Sequence, residues 1–171
     1  EGLNGIIGTV QLAITNSSVT GKTPGFECYR ELELCDPYAA LKSETDMQIT
    51  NSTVNAESGL VGLYSCNMEI ADDSMVNVIA SGYPINILGS AEITDSKVTA
   101  INPSNEEDLA AFVEYFDSSF SSFFALYVGR YLGDKLIVLN SEITAEALHC
   151  AIHSINITIG DGSIVTASGG L

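Results

Sequence analysis

Apolar and polar positions alternate along most of this chain in short runs that end on Asn or Asp. Six times an apolar residue is followed five positions later by a second one, with Asn or Asp between them. These segments open at Ile14, Ile49, Ile70, Ile93, Val138 and Ile159 and close at Val19, Val54, Met75, Val98, Ile143 and Ile164. Their starts lie 35, 21, 23, 45 and 21 residues apart. A period of 21–23 residues marks one supersecondary unit stacked on the next.

A second signature sits 6–8 residues upstream of most segments: Ala40-Leu41-Lys42-Ser43, Gly62-Leu63-Tyr64-Ser65, Asn86-Ile87-Leu88-Gly89 and Ala151-Ile152-His153-Ser154. Gly5-Ile6-Ile7-Gly8 is a weaker copy, and Ala125-Leu126-Tyr127 lies 12 residues ahead of Val138. Alternation leads into each segment, as in Met47-Gln48-Ile49, and a third short run follows it, as in Val98-Thr99-Ala100. Each unit therefore carries three period-2 strands rich in Val, Ile and Thr. Three strands in 21–23 residues describe one coil of a parallel β-helix. The predicted fold is all-β: a right-handed parallel β-helix of about six coils, roughly 30 Å long at the strand spacing of a sheet. Left-handed hexapeptide solenoids have tighter coils, and the 3-and-4 spacing of amphipathic helices is missing from the repeats.

Asn16, Asn51, Asp72, Asp95, Asn140 and Asp161 fall at one corner of every coil. Asn and Asp tolerate the left-handed backbone of a sharp bend, so a structural ladder is the first reading and a ligand role the second. The two long spacings hold inserts, about 13 extra residues within 21–40 and about 20 near 103–123. The second predicts a short helix, capped by Ser104 or Asn105, with Glu106, Glu107 and Asp108 in its first turn. Leu109, Phe112, Val113 and Phe116 would form its apolar stripe. A rival reading makes residues 115–120 a seventh coil. Ile137 and Leu139 should point outward, either as the seat of that stripe or as an oligomer contact.

The chain reads as one domain, 1–171, and as a piece of a longer surface protein, because it opens in repeat phase and stops where another coil would begin. Hydrophobic residues make up 46% of it, with no apolar run near 20 residues, which predicts a well-cored chain without membrane insertion. Its net charge of −16, with only six Lys and Arg, argues against nucleic acid and against acidic polymers unless a cation intervenes. It suits a calcium-rich extracellular setting. Cys28 and Cys35 share the first insert and are candidates for a disulfide; Cys66 and Cys150 read as buried thiols.

No catalytic motif is present. His149 and His153 are four apart, which on a strand separates them by about 13 Å rather than joining them at a metal. The basic residues are scattered, against the Arg-rich groove that a polysaccharide lyase needs. Two surfaces remain. Glu69 and Glu92 should face outward on neighbouring coils, with Asp72, Asp73 and Asp95 at the next corner. Like charges so close are unfavourable, and Ca²⁺ would turn their repulsion into coordination. Alternatively they are solvated surface charge. On the first sheet, Lys42, Tyr64, Leu88, Tyr127 and His153 should stack along the rod. Tyr64, Tyr127 and His153 are candidate sugar contacts, since a tyrosine offers an apolar face and a hydroxyl. The alternative is that they cover inserts or a neighbouring subunit in a homo-oligomer.

The Ile-Thr-Asn-Ser-x-Val-Thr and Ala-Ile-x-Ser units resemble those of a family of parallel β-helix repeat proteins. Its members are secreted or cell-surface proteins of Firmicutes and other gut or cellulolytic bacteria, of the carbohydrate-binding-domain type. One class in it binds polygalacturonate through calcium held by acidic side chains. The resemblance implies a secreted module that binds a polysaccharide or cell-surface glycan, and it assigns no ligand to a particular residue. The leading expectation is a non-catalytic carbohydrate-binding module, with Ca²⁺ as its cofactor. The others are a structural or adhesin solenoid and a lyase-like enzyme.

Overall fold

In a computed structural model, residues 5–8, 10–23, 39–108, 110–111 and 124–170 are described. Eighteen strands wind into six coils of three. Coil one holds β1 (Ile6–Gly8), β2 (Gln11–Thr15) and β3 (Ser18–Lys22). Coil two holds β4 (Ala39–Ser43), β5 (Asp46–Thr50) and β6 (Thr53–Ser58). Coil three holds β7 (Val61–Ser65), β8 (Asn67–Ala71) and β9 (Met75–Ala80); coil four holds β10 (Tyr83–Ile87), β11 (Ala91–Thr94) and β12 (Lys97–Ile101). Coil five holds β13 (Phe124–Val128), β14 (Leu136–Leu139) and β15 (Glu142–Ala147); coil six holds β16 (Cys150–Ser154), β17 (Ile157–Ile159) and β18 (Ile164–Gly169). Like strands of successive coils pair in parallel, giving three six-stranded sheets and the expected parallel β-helix.

Its core is a set of columns running along the rod. Ile14, Ile49, Ile70, Ile93, Val138 and Ile159 form one, and Val19, Val54, Val76, Val98, Ile143 and Val165 another. From coil two to coil five these side chains are at most 2% exposed. Each therefore contributes roughly 1.5–3 kcal/mol of burial against an exposed reference.

Two segments are wound differently from the five-residue rule. Val76 and Val165, not Met75 and Ile164, occupy the inward column. One extra residue sits in each of those corners, and a one-residue shift reverses the face a side chain presents. Met75 and Ile164 accordingly face water, 47% and 64% exposed. The third coil absorbs its extra residue with two successive left-handed residues, Asp72 (φ 56°) and Asp73 (φ 58°). Asn16, Asn51, Asp95 and Asn140 are left-handed too, as their position in the repeat predicts; in coil six Gly162 takes that conformation beside Asp161.

A serine follows each corner, buried from coil two to coil five. Ser52 and Ser74 accept the amide N–H of Ser17 and Ser52, and Ser96, Ser141 and Ser163 continue the ladder at 3.1–3.4 Å. Asn51 donates to Asn16 Oδ1 at 2.6 Å and Asn140 to Asp95 Oδ1 at 2.5 Å, so the corner is bonded coil to coil.

The first insert falls between β3, which runs to Lys22, and β4, which begins at Ala39. Its residues 24–38, with Cys28 and Cys35, lie outside the described residues. The second falls between Ile101 and Phe124 and begins as a helix over 106–108 and 110–111. Asn105 is its cap: Asn105 Oδ1 accepts from Glu107 N (2.8 Å) and Asp108 N (3.0 Å), while Asp108 Oδ2 accepts from Asn105 N (2.9 Å). That reciprocal pair is a capping box. Ser104 instead donates to Ser81 O. Leu109, Phe112, Val113, Phe116 and the rival coil at 115–120 lie outside the described residues.

Candidate functional site

On the second sheet, register and parity place Ala13, Gln48, Glu69, Glu92, Ile137 and Thr158 in one outward column, as the alternation predicts. Gln11 donates to Gln48 Oε1 at 3.1 Å, and Gln48 donates to Glu69 Oε2 at 3.2 Å. Glu69 and Glu92 face each other on β8 and β11. Beside this column runs the corner row Asp46, Asn67, Ser90 and Lys135. It is linked by Asn67 Nδ2 donating to Asp46 Oδ1 (2.9 Å), Ser90 N to Asn67 Oδ1 (3.1 Å) and Lys135 N to Ser90 Oγ (3.2 Å). The two rows enclose a groove of about 280 Å³ lined by Asp46, Gln48, Asn67, Glu69, Glu92 and Lys135, with Met47, Met68, Ser90, Ala91 and Ile137. Carboxylates, amides, a hydroxyl and an ammonium thus line one track at one-coil intervals, about 4.8 Å apart.

The five acidic candidates do not converge. Glu69 and Glu92 line this groove, whereas Asp73 and Asp95 line a second hollow of about 450 Å³ at the next corner, with Lys97, Asn140 and Glu142. Asp72 lines neither of the two. Among the described residues no three His, Cys, Asp or Glu side chains gather as a metal cage.

The first-sheet stripe is shifted at one place. Asn86, not Leu88, stands between Tyr64 and Tyr127. In coil four the repeat signature falls on Pro84-Ile85-Asn86-Ile87, two residues earlier than Asn86-Ile87-Leu88-Gly89, a slip that parity cannot reveal because a two-residue shift keeps every side chain on its own face. The structure brings Tyr127 and His153 together, stacked at 4.9 Å with planes 6° apart. Phe124 meets both edge-on, at 5.5 Å and 5.3 Å, and stacks on Tyr83 at 6.0 Å. Tyr64 lies two coils before Tyr127, with Lys42 Nζ 5.7 Å from its ring centre. Burial raises the pKa of Tyr64 and pushes that of Tyr83 up to about 12. Tyr127 and His153 cover one face of each other's rings and, with Phe124 and Tyr83, form a packed aromatic cluster, while Tyr64 stands apart from it.

His149 is an exposed bend residue outside the strand that holds His153. Cys66 and Cys150 are free and half-buried rather than buried, each lying 3.1 Å from a backbone carbonyl, Glu44 O and Ile152 O. Sequence reasoning missed the corner row. Its signal was present: Asp46, Asn67, Ser90 and Lys135 each directly precede the first inward residue of a second-sheet strand. No family model, curated protein or solved structure matches this chain.

Proposed function

We propose that this protein is a non-catalytic, extracellular carbohydrate-binding solenoid, and that the second-sheet groove is its binding site. The observation that carries the reading is the regular double row of hydrogen-bonding side chains, Gln48, Glu69 and Glu92 beside Asp46, Asn67 and Ser90. An extended glycan presents hydroxyls at repeating intervals, and donors and acceptors fixed at coil spacing suit such a ligand. Three carboxylates against Lys135 favour a neutral glycan over a uronate, which like charge would repel.

Calcium enters the reading through Glu69 and Glu92. Ca²⁺ takes six to eight oxygens, more than this pair offers, so sugar oxygens would have to complete its shell. Calcium would then admit acidic glycans that the bare groove rejects. Glycan-array binding tests both modes. Neutral oligosaccharides should be retained in EDTA, uronates only with millimolar Ca²⁺, and Glu69→Gln with Glu92→Gln should remove the second mode. Retention of uronates in EDTA would overturn the charge argument.

A further inference from the structure

Five of the six connections between first and second sheets take one to three residues, but that of coil five takes seven, 129–135. The extra length explains why Tyr127 lies so far ahead of Val138. This connection ends on Lys135, a lining residue of the groove, whose carbonyl accepts from Ala91 N at 2.9 Å. It therefore rises at the groove's corner row.

The connection is held in one shape. Asp134 Oδ2 accepts from Arg130 N at 2.8 Å and Tyr131 N at 2.7 Å, and Asp134 N donates to Tyr131 O at 2.9 Å. Asn156 of the next coil donates to Leu132 O (3.1 Å) and Asp134 O (2.9 Å). Gly129 starts the turn at φ 92°, where a β carbon would meet Asp134 at 2.8 Å. Yet this bonded frame buries neither of its large side chains: Tyr131 is 69% exposed and Leu132 89%. A loop ordered this thoroughly around apolar side chains that contribute nothing to the core displays them for contact.

We infer that Tyr131 is the stacking residue of the groove, extending it beyond coil five for glycans longer than the track itself. The inference rests on the glycan reading above. The row from Asp46 to Lys135 crosses three coil intervals, roughly 14 Å, which a short oligosaccharide fills. A longer one that runs on past Lys135 meets the 129–135 connection, where a sugar's C–H face can stack on the Tyr131 ring, carried on a backbone already held in one shape. A pre-ordered loop gives up little backbone entropy on binding.

Calorimetric titration with neutral β-1,4-linked trisaccharides and hexasaccharides of glucose, mannose and xylose tests this. Wild type should bind the hexasaccharide of its preferred sugar more tightly than the trisaccharide. Tyr131→Ala should weaken the hexasaccharide roughly five- to ten-fold, leave the trisaccharide unchanged and so erase the length dependence. Tyr131→Phe should retain it. Equal hexasaccharide affinity in Tyr131→Ala would overturn the inference while leaving the groove standing. No binding of any of these sugars by wild type would overturn both. Loss of trisaccharide binding in Gln48→Ala, with Tyr131 intact, checks the groove separately.

Discussion

Asn51 shows how a single side chain serves both the bend and the stack. Its φ of 46° belongs to a region that costs most L-residues about 1–2 kcal/mol, and its amide also bonds to Asn16. Asn51→Ala should destabilise the rod by about 1–2 kcal/mol in urea unfolding, and Asn51→Gly by less, because glycine relieves the backbone term. Equal loss in the two variants would show that the backbone conformation is not what selects Asn. Tyr83 gives a pH prediction. Burial raises its folded pKa to about 12 from an ordinary 10.0. Its protonated form is therefore favoured by folding, a contribution complete below pH 10 and lost as pH rises from 10 to 12. Tyr83→Phe should flatten stability across that window in alkaline unfolding; an unchanged slope would place the alkaline sensitivity elsewhere.

For the strands, parity was legible and phase was not. Alternating Val, Ile and polar residues reveal which side chains share a face, and so the Glu69–Glu92 column followed from the sequence. A corner that holds one residue more leaves the same composition on the page. Asp72-Asp73 and Asp161-Gly162 hid their extra residue in this way, and Met75 read as core although Val76 fills that place. The corner row of the groove was missed for a related reason: Asp, Asn, Ser and Lys have no common chemistry until register sets them side by side. Met75→Lys should change stability by no more than about 0.5 kcal/mol, whereas Val76→Lys should prevent folding. Thermal unfolding by circular dichroism compares them, and the reverse order would refute the register. The ion pairs Lys22–Glu57 and Lys97–Glu142, both at 2.9 Å between exposed partners, add little beyond this.

As a whole the molecule is a one-dimensional stack, so stability is a sum of coils and their interfaces. Coil six has only one neighbouring coil among the described residues. Ile157 and Ile159 are 49% and 52% exposed there, although their counterparts Leu136 and Val138 are 1% exposed. Amides of β17 and β18 should therefore exchange with solvent well before those of β8 and β11. Uniform protection would show that the stack opens only as a unit. Charge adds a second whole-molecule property: with a net charge of −16, added salt should raise the melting temperature by screening self-repulsion.

The role proposed for this stack is to hold a glycan in the groove of Glu69 and Glu92. Thermal unfolding in the presence of neutral and uronic oligosaccharides, each with millimolar Ca²⁺ or EDTA, tests it most directly, since a ligand of the native state alone must stabilise it. A melting temperature raised by neutral sugars in EDTA, and by uronates only with calcium, is the predicted result. An unchanged melting temperature under every condition would contradict the claim and leave a solenoid whose role is structural.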